Sequence, residues 1–344
     1  MSHSPHHDTA IPGPAAPPPV MPHPEGHAGN CPFALPLDAA LAHVDRVFGI
    51  DRVLALEGAE IVARYYRQSG PGYRRVHSEA GAMHIALNSD GRFDRAGYYA
   101  QTEEVARQIA ATGARRVLEL GSGVGFNSLH LAATHESATF TGLDLMPHHV
   151  RRSRRAARSL ENLHFIEGSY AELPRGLEAQ DVVFGVETLC YAQSPVTVAR
   201  EVARALAPGG RFVMFDGFRC ADFDCAPADV ITAARLFEIT TAVTAGFWRQ
   251  CDWTAALERA GLRVLRADDL TADAIACMRR LQRPALRFFT DWRWQALRHM
   301  LPRYLALNAV AGLMGPYMIE GADPAAGDTQ GALLYGCILA EKPT

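Results

Sequence analysis

A buried strand that ends on three closely spaced glycines most constrains what this 344-residue chain can fold into. Residues 117–127 read VLELGSGVGFN and begin with apolar side chains, as parallel strands covered on both faces do. Gly121, Gly123 and Gly125 lack Cβ atoms, so a ligand can approach the backbone closely. The sequence therefore predicts a strand, a tight turn and a helix, with a ligand at the turn.

The acid before this turn, Glu119, favours a ligand with a positive amino group over a pyrophosphate. A dinucleotide-binding G-x-G-x-x-G pattern that starts at Gly121 needs its third glycine at position 126, where Phe126 stands. Both observations disfavour a nicotinamide dehydrogenase.

The pattern E-x-G-x-G-x-G resembles the first motif of class I S-adenosylmethionine-dependent methyltransferases. Later segments resemble that family in the same order, roughly from residue 95 to 270 and again in the last strand. These are strands at 138–144, 163–169, 181–187, 207–216, 262–267 and 332–340, with a helix at 194–206 and a Pro-Gly-Gly turn at 208–210. The resemblance implies an α/β fold, with a Rossmann-like seven-stranded sheet, helices on both faces, an N-terminal helical cap and a helical insertion before the last strand.

The resemblance implies S-adenosyl-L-methionine as cofactor and S-adenosyl-L-homocysteine as its product. Asp144 stands 19 residues beyond Gly125, near the offset at which a Rossmann-type acid meets ribose hydroxyls. Ser169 would hydrogen-bond the adenine and Tyr170 would stack on it. The residues expected to bind the cofactor are Tyr98, Gln101, Glu119, Gly121, Ser122, Gly123, Gly125, Asn127, Asp144, Leu145, Ser169, Tyr170 and Glu187.

Segments 78–91 and 98–101 resemble the sterol and tocopherol methyltransferase-like subgroup. By that resemblance Tyr98 and Gln101 would face the methionine end of the cofactor and His84 the acceptor. Glu187 and Tyr191 match an acid and an aromatic residue that face the acceptor in this subgroup. Glu187, His84 and Tyr191 are therefore the catalytic candidates, as a base or as a stabiliser of positive charge. The alternatives are a structural histidine, a cofactor contact for Glu187 and a pocket wall for Tyr191.

The chain divides into five predicted parts. Residues 1–36 contain ten prolines and five histidines and predict a disordered tail. Residues 37–115 form the helical cap, with helices at 57–68, before the Ser-Gly-Pro-Gly at 69–72, and at 96–111. Residues 116–270 form the cofactor-binding core, 271–328 a helical substrate lid and 329–344 the terminal strand. Within the lid, helices are expected at 271–281 and 284–301.

Two further segments leave alternatives open. The apolar run 304–319 is too short to span a bilayer and predicts a buried helix, a lid or a membrane-surface helix. The helix at 147–160 carries five arginines, which favour a solvated face over a nucleic-acid patch because no aromatic residues interleave with them.

A net charge of −3 gives no support for nucleic-acid binding, and seven unpatterned cysteines indicate a cytoplasmic protein without a metal site. The leading hypothesis is a methyltransferase for a hydrophobic small molecule, isoprenoid- or sterol-like, with C-methylation slightly favoured. One alternative is an N- or O-methyltransferase of a polar or aromatic metabolite. Another is a cofactor-binding protein with a non-methylating or regulatory role. Peripheral membrane contact is left open.

Overall fold

The computed structural model describes residues 35–56, 61–323 and 330–344. The predicted tail at 1–36 lies almost wholly outside these residues, as do the first four residues of the helix predicted at 57–68.

A single seven-stranded sheet runs through the described part of the chain, in the order β3-β2-β1-β4-β5-β7-β6. The strands are β1 (Arg116–Leu120), β2 (Thr139–Asp144), β3 (Leu163–Glu167), β4 (Gln180–Val186), β5 (Leu206–Arg219), β6 (Arg263–Asp269) and β7 (Leu333–Glu341). Strands β1 to β5 pair in parallel, and β7 is antiparallel to both β5 and β6. The predicted Rossmann-like seven-stranded fold is confirmed.

Helices cover both faces of this sheet. They are α1 (Leu37–Phe48), α2 (Ile50–Leu54), α3 (Ile61–Gly72), α4 (Ala100–Thr112), α5 (Phe126–Thr134), α6 (Pro147–Ala156), α7 (Pro195–Ala205), α8 (Ala228–Thr240), α9 (Gln250–Arg259), α10 (Thr271–Thr290), α11 (Trp292–Leu297) and α12 (Arg303–Glu320). A π-helical turn at Tyr73–His77 follows α3, and 3₁₀ turns lie at Arg95–Tyr99, Leu189–Tyr191, Phe223–Cys225 and Arg298–Met300.

Alternation along the strands divides the core into two apolar clusters. In β1, Val117 belongs to the cluster under α8, α10 and α12, whereas Leu118 and Leu120 belong to the one under α7 and α9. This is the two-residue period of a strand whose two faces are both covered. Glu119 is buried on the same face as Val117, so its carboxylate lies inside the fold.

Helix α3 does not end before the Ser-Gly-Pro-Gly segment at 69–72, and that prediction is wrong. The helix runs to Gly72. Ser69 is fully buried, and a Cβ atom on Gly72 would lie 2.9 Å from the Leu305 side chain of α12. Close packing on α12 therefore holds this segment helical against its weak intrinsic propensity.

Helix α10 likewise continues through Pro284, where a new helix was predicted to begin. The proline is exposed, so the backbone carbonyl that it leaves without an N–H partner lies on the outer side of the helix. On the inner side, Ala285 and Phe288 are buried, and a Cβ atom on Gly312 of α12 would meet Ala285 at 3.0 Å. Packing between α10 and α12 keeps the helix continuous.

Most of α12 is buried, which disfavours the membrane-surface alternative for the run 304–319. None of the helices in the described ranges combines the length and the apolar character needed to cross a membrane. On α6 the arginines, Arg151 and Arg152 among them, are exposed, as expected for a solvated face.

Candidate functional site

The carboxyl ends of β1, β2 and β4 surround a crevice with a volume of about 530 Å³. Ligands of parallel α/β sheets bind at this edge, where strand ends and helix starts expose backbone polar groups. Ten of the predicted cofactor residues line the crevice, namely Glu119, Gly121, Ser122, Gly123, Asn127, Asp144, Leu145, Ser169, Tyr170 and Glu187.

The glycine turn forms the floor of this crevice. Gly121, Gly123 and Gly125 have φ values of 63°, 54° and 91°, in the left-handed region that favours glycine. A Cβ atom on Gly121 would lie 1.8 Å from Oγ1 of Thr188. Gly125 does not line the crevice. It packs against the Phe165 ring, and a Cβ atom on Gly125 would lie 2.7 Å from Cζ of that ring.

The Glu119 carboxylate is buried, and the first turn of α5 donates to both of its oxygens. It accepts hydrogen bonds from Nδ2 of Asn127 at 3.0 Å and from Oγ of Ser128 at 2.5 Å. Oγ1 of Thr102 donates to Oδ1 of Asn127 at 2.7 Å and fixes that amide. Burial raises the pKa of Glu119 to about 7, so a positive group in the crevice would favour its ionised form.

Asp144 connects the glycine turn to the start of α6. Its Oδ2 accepts from the Gly123 N–H at 2.8 Å, and its Oδ1 accepts from the Met146 N–H at 2.8 Å. Nδ1 of His149 lies 3.3 Å from the same Oδ1. An ionised carboxylate has about four acceptor positions, so Asp144 retains capacity for hydroxyl groups in the crevice.

Two serines and a tyrosine line the crevice near the ends of β1 and β3. The Ser122 hydroxyl is buried and has no hydrogen-bond partner within the described residues, so it is available to a polar group in the crevice. Oγ of Ser169 accepts from the Ala171 N–H at 3.1 Å. The Tyr170 hydroxyl donates to the Thr188 carbonyl at 3.0 Å, which leaves the ring as the surface offered to the crevice.

Glu187 stands at the end of β4 with a φ of 47°, which is uncommon outside glycine and typical of constrained functional positions. Its carboxylate accepts from the Ile85 N–H at 2.6 Å and from the Tyr335 hydroxyl. Burial raises the pKa of Glu187 to about 8, and the nearby carboxylate of Asp216 adds to that rise.

A second cavity of about 80 Å³ adjoins the crevice, and we call it the inner cavity. The two spaces share four lining residues, Tyr66, Met83, Glu187 and Tyr191. Its other walls are mostly aromatic and aliphatic. They are Tyr73, Ile85, Cys190, Asp216, Gly217, Phe237, Thr241, Val243, Phe247, Ala274, Met278, Met318, Ile319, Leu333, Leu334 and Tyr335.

Asp216 on β5 is the second carboxylate of the inner cavity. It is 1% exposed, and its Oδ2 accepts from the Cys190 N–H at 2.9 Å. Burial raises the pKa of Asp216 to about 6. The inner cavity therefore combines apolar walls with two carboxylates, Glu187 and Asp216, that a positively charged group would stabilise in their ionised forms.

Residues 118–214 match the family model described as a methyltransferase domain. A probable phthiotriol/phenolphthiotriol dimycocerosates methyltransferase 2 of Mycobacterium ulcerans is 30% identical over 47% of this chain and 52% of the relative. A sterol 24-C-methyltransferase of Schizosaccharomyces pombe is 26% identical over 64% of this chain and 58% of the relative. The chain thus spans about half the length of the curated relatives that it matches.

The solved structure of the 4+2 cyclase SpnF has the same fold, with a TM-score of 0.63 and 21% identity over 82% of this chain and 96% of that one. The family match, the strand order and the ordered motifs agree. Residues 118–214 carry a methyltransferase domain, within a sheet of the class I S-adenosylmethionine-dependent methyltransferase fold.

Besides Gly125, two predicted cofactor residues, Tyr98 and Gln101, do not line the crevice of this methyltransferase domain, so the geometry does not support a position facing the methionine end. The Tyr98 hydroxyl donates to the His77 carbonyl at 2.6 Å. Nε2 of Gln101 donates to the Ile85 carbonyl at 2.7 Å and lies 3.2 Å from the Tyr335 hydroxyl. Their role in the domain is to hold the segment that carries Ile85, and Gln101 also contacts the tyrosine that bonds Glu187.

His84 lines the crevice of the domain, but a backbone carbonyl holds one of its two ring nitrogens. Nε2 of His84 lies 2.8 Å from the Tyr98 carbonyl, which an N–H at that position bonds. Burial lowers the pKa of His84 to about 4. The geometry therefore fits the structural-histidine alternative better than an acceptor-facing base.

Tyr191 lines both the crevice and the inner cavity of the domain. Its hydroxyl receives a hydrogen bond from the Tyr66 hydroxyl at 3.0 Å and donates to the Thr241 carbonyl at 3.0 Å. Because both bonds hold the hydroxyl, Tyr191 fits the pocket-wall alternative.

Sequence reasoning missed three residues of the domain's inner cavity. The sequence could have indicated Asp216, because this acid follows the apolar run FVMF in a predicted strand. No sequence pattern indicated Tyr66 and Tyr335, because tyrosines on a helix and on a strand are ordinary core residues.

Replacing Gly121 by alanine is expected to lower the free energy of unfolding by about 3 kcal/mol or more and to abolish binding of S-adenosylhomocysteine. The reason is the 1.8 Å approach of the new Cβ to Thr188, in addition to backbone strain. Gly113→Ala is the matched control, because Gly113 has a similar φ of 61° but no atom within 4 Å of a Cβ. Denaturant unfolding and calorimetry measure both effects. Equal losses in the two variants would contradict the proposed clash.

Proposed function

We propose that this protein is an S-adenosylmethionine-dependent methyltransferase that methylates an apolar small molecule, isoprenoid- or sterol-like, with carbon as the favoured acceptor atom. The observation that carries the proposal is that the crevice and the inner cavity adjoin each other. The crevice that fits the cofactor opens beside an inner cavity with apolar walls, and Glu187 lies at their junction.

The residues of the crevice fit the cofactor in kind. Asp144 would accept from the ribose hydroxyls, and Glu119 would hold negative charge near the methionine amino group. The unpartnered Ser122 hydroxyl gives a further bond, and Tyr170 presents a ring for the adenine. When bound, the cofactor supplies an already activated methyl group, so the protein mainly has to align the acceptor and exclude water.

The inner cavity suits the proposed acceptor. Met278 of α10 and Met318 of α12 contribute unbranched, adaptable side chains to its wall. Both helices belong to the predicted lid at 271–328, so the insertion supports a substrate-enclosing role. At about 80 Å³ the cavity is smaller than ligand pockets usually are, so movement of these helices would admit a large acceptor.

The Glu187 carboxylate lines both the crevice and the inner cavity, which supports a role on the acceptor. It would either take a proton from the acceptor or stabilise positive charge that develops on a carbon acceptor. The aromatic rings of Tyr66 and Tyr191 border the same junction and offer further stabilisation of positive charge. The sterol 24-C-methyltransferase relative supports a carbon acceptor, and the dimycocerosates methyltransferase relative supports a hydrophobic one.

Calorimetry with S-adenosylhomocysteine and transfer of a labelled methyl group test the two halves of this proposal separately. One structure with this fold is named a cyclase, so binding alone does not establish transfer. We expect S-adenosylhomocysteine to bind. When extracts of apolar metabolites are offered, we expect the labelled methyl group to appear in the fraction that organic solvent extracts. Absence of binding at millimolar concentration would overturn the cofactor. Binding with no transfer to apolar or polar fractions would favour the non-methylating alternative, and label only in water-soluble products would favour a polar acceptor.

A further inference from the structure

The segment from Trp292 to Met300 exposes large apolar side chains in a short stretch of chain. Trp292 is 70% exposed, Trp294 40%, Leu297 49% and Met300 80%. These are four of the eight large hydrophobic residues that are exposed in the described part of the chain, and they fall within nine positions. Such clustering marks an interaction surface rather than scattered exposure.

This segment is ordered but separate from the core. It consists of α11 and the following 3₁₀ turn, and none of the residues in either element is buried. The Asp291 side chain caps α11 by accepting from the Arg293 N–H at 2.9 Å. The Trp294 ring lies 6.1 Å from that of Phe288, which stacks on Phe48 of α1. The fold therefore holds the segment in place and presents it outward.

The surroundings of the exposed apolar side chains are positively charged. Between residues 283 and 303 there are five arginines and one acid, Asp291, although the whole chain has a net charge of −3. The arginines are Arg283, Arg287, Arg293, Arg298 and Arg303. In the described residues no carboxylate forms an ion pair with any of them, and the Arg293 guanidinium lies 5.8 Å from the Trp292 ring.

We propose that the segment Trp292–Met300 docks on an anionic membrane surface. Tryptophan and methionine would enter the boundary between headgroups and acyl chains, while the arginines would contact lipid phosphates. A second copy of this chain is a poorer occupant, because a two-fold contact through this segment would bring arginines against arginines. The proposal goes beyond the proposed function and requires no substrate.

Co-sedimentation of the full chain with vesicles tests this inference. We expect binding to vesicles of equal parts phosphatidylcholine and phosphatidylglycerol, weak binding to phosphatidylcholine alone, and a loss of binding as salt is raised. The variant Trp292→Ser/Met300→Ser should lose about tenfold or more of the partitioning, and so should Arg293→Gln/Arg298→Gln. Because none of these side chains is buried, thermal unfolding should be nearly unchanged.

Two matched controls separate this surface from general stickiness. Leu265→Ser removes another exposed apolar side chain, and Arg151→Gln/Arg155→Gln removes charges from the arginine-rich face of α6, which lacks aromatic residues. Both controls should bind anionic vesicles nearly as the unaltered chain does. Absence of binding by the unaltered chain would overturn the proposal, as would equal loss in the α6 variant. So would a dimer that forms without lipid and dissociates in Trp292→Ser/Met300→Ser.

Discussion

Replacing Asp144 by alanine is expected to weaken binding of S-adenosylhomocysteine by about 10- to 100-fold, since a hydrogen bond to a charged group contributes about 1.5–3 kcal/mol. The carboxylate acts in two ways in the structure. It would accept from the ribose hydroxyls, and it already accepts from the backbone N–H groups of Gly123 and Met146. The alanine variant therefore loses a ligand contact and loosens the turn that forms the crevice floor.

The variants Asp144→Asn and His149→Ala help to separate the ligand contact of Asp144 from its support of the turn. Asparagine keeps one acceptor oxygen for a backbone N–H but has no charge, so its affinity should fall between those of the aspartate and the alanine forms. Alanine at position 149 removes a buried ring of the crevice wall, with its nitrogen 3.3 Å from the carboxylate and its edge contact with Tyr66, but leaves the carboxylate itself, so its loss of affinity should be smaller than that of Asp144→Ala. Calorimetry measures all three. If Asp144→Ala bound the ligand within about twofold of the unaltered chain, the ribose assignment would be wrong.

The core of the fold and much of the crevice could be predicted because their signals are local. The strand β1, the glycine turn and the acid at the end of β2 are read from apolar runs and short spacings. Asp144 was located from its 19-residue distance to Gly125 and does line the crevice with the turn. Backbone geometry at a strand end depends on a few neighbouring residues, so a short motif carries enough information.

Family resemblance indicated the segments in which other residues stand, but not the direction in which their side chains point. Tyr98, Gln101 and His84 stand in the segments that the resemblance indicated, yet the Tyr98 hydroxyl and the Nε2 atoms of Gln101 and His84 bond backbone carbonyls. A side-chain direction depends on the register of long-range contacts, such as the bond from Gln101 to the Ile85 carbonyl. The sequence carries no local trace of that register.

The inner cavity could not be predicted either, because it also depends on contacts between residues that are distant in the chain. Its walls come from α3, β5, α10 and α12, which are far apart in the chain. Predictions at Pro284 and at the end of α3 also failed because contacts with α12 outweigh local propensity. A cavity between elements is a property of their packing and becomes visible only when α10 and α12 are in place.

Replacing Glu187 by glutamine is expected to lower kcat by about 10²- to 10⁴-fold, the range for loss of a positioned acid or base. Glutamine retains an oxygen that can accept from the Ile85 N–H, so the local fold should persist. Affinity for S-adenosylhomocysteine should change by about fivefold at most, because most of the cofactor contacts lie elsewhere in the crevice. Single-turnover transfer of a labelled methyl group measures the chemical step, and calorimetry measures the affinity.

The pH dependence of turnover gives this prediction its sharpest form. Burial raises the pKa of Glu187 to about 8, so the carboxylate is protonated at lower pH and becomes active as pH rises. Turnover should therefore increase with pH up to about 8, or to a lower value with the positively charged cofactor bound, and glutamine should remove this limb.

Tyr335→Phe supplies the matched control for this limb. It deletes a hydrogen bond that lowers the pKa of Glu187, so the limb should move to higher pH while kcat at its plateau stays within about tenfold. Unchanged turnover and an unchanged limb in Glu187→Gln would contradict a catalytic carboxylate. Lost cofactor affinity together with normal single-turnover rates would instead make Glu187 a cofactor contact.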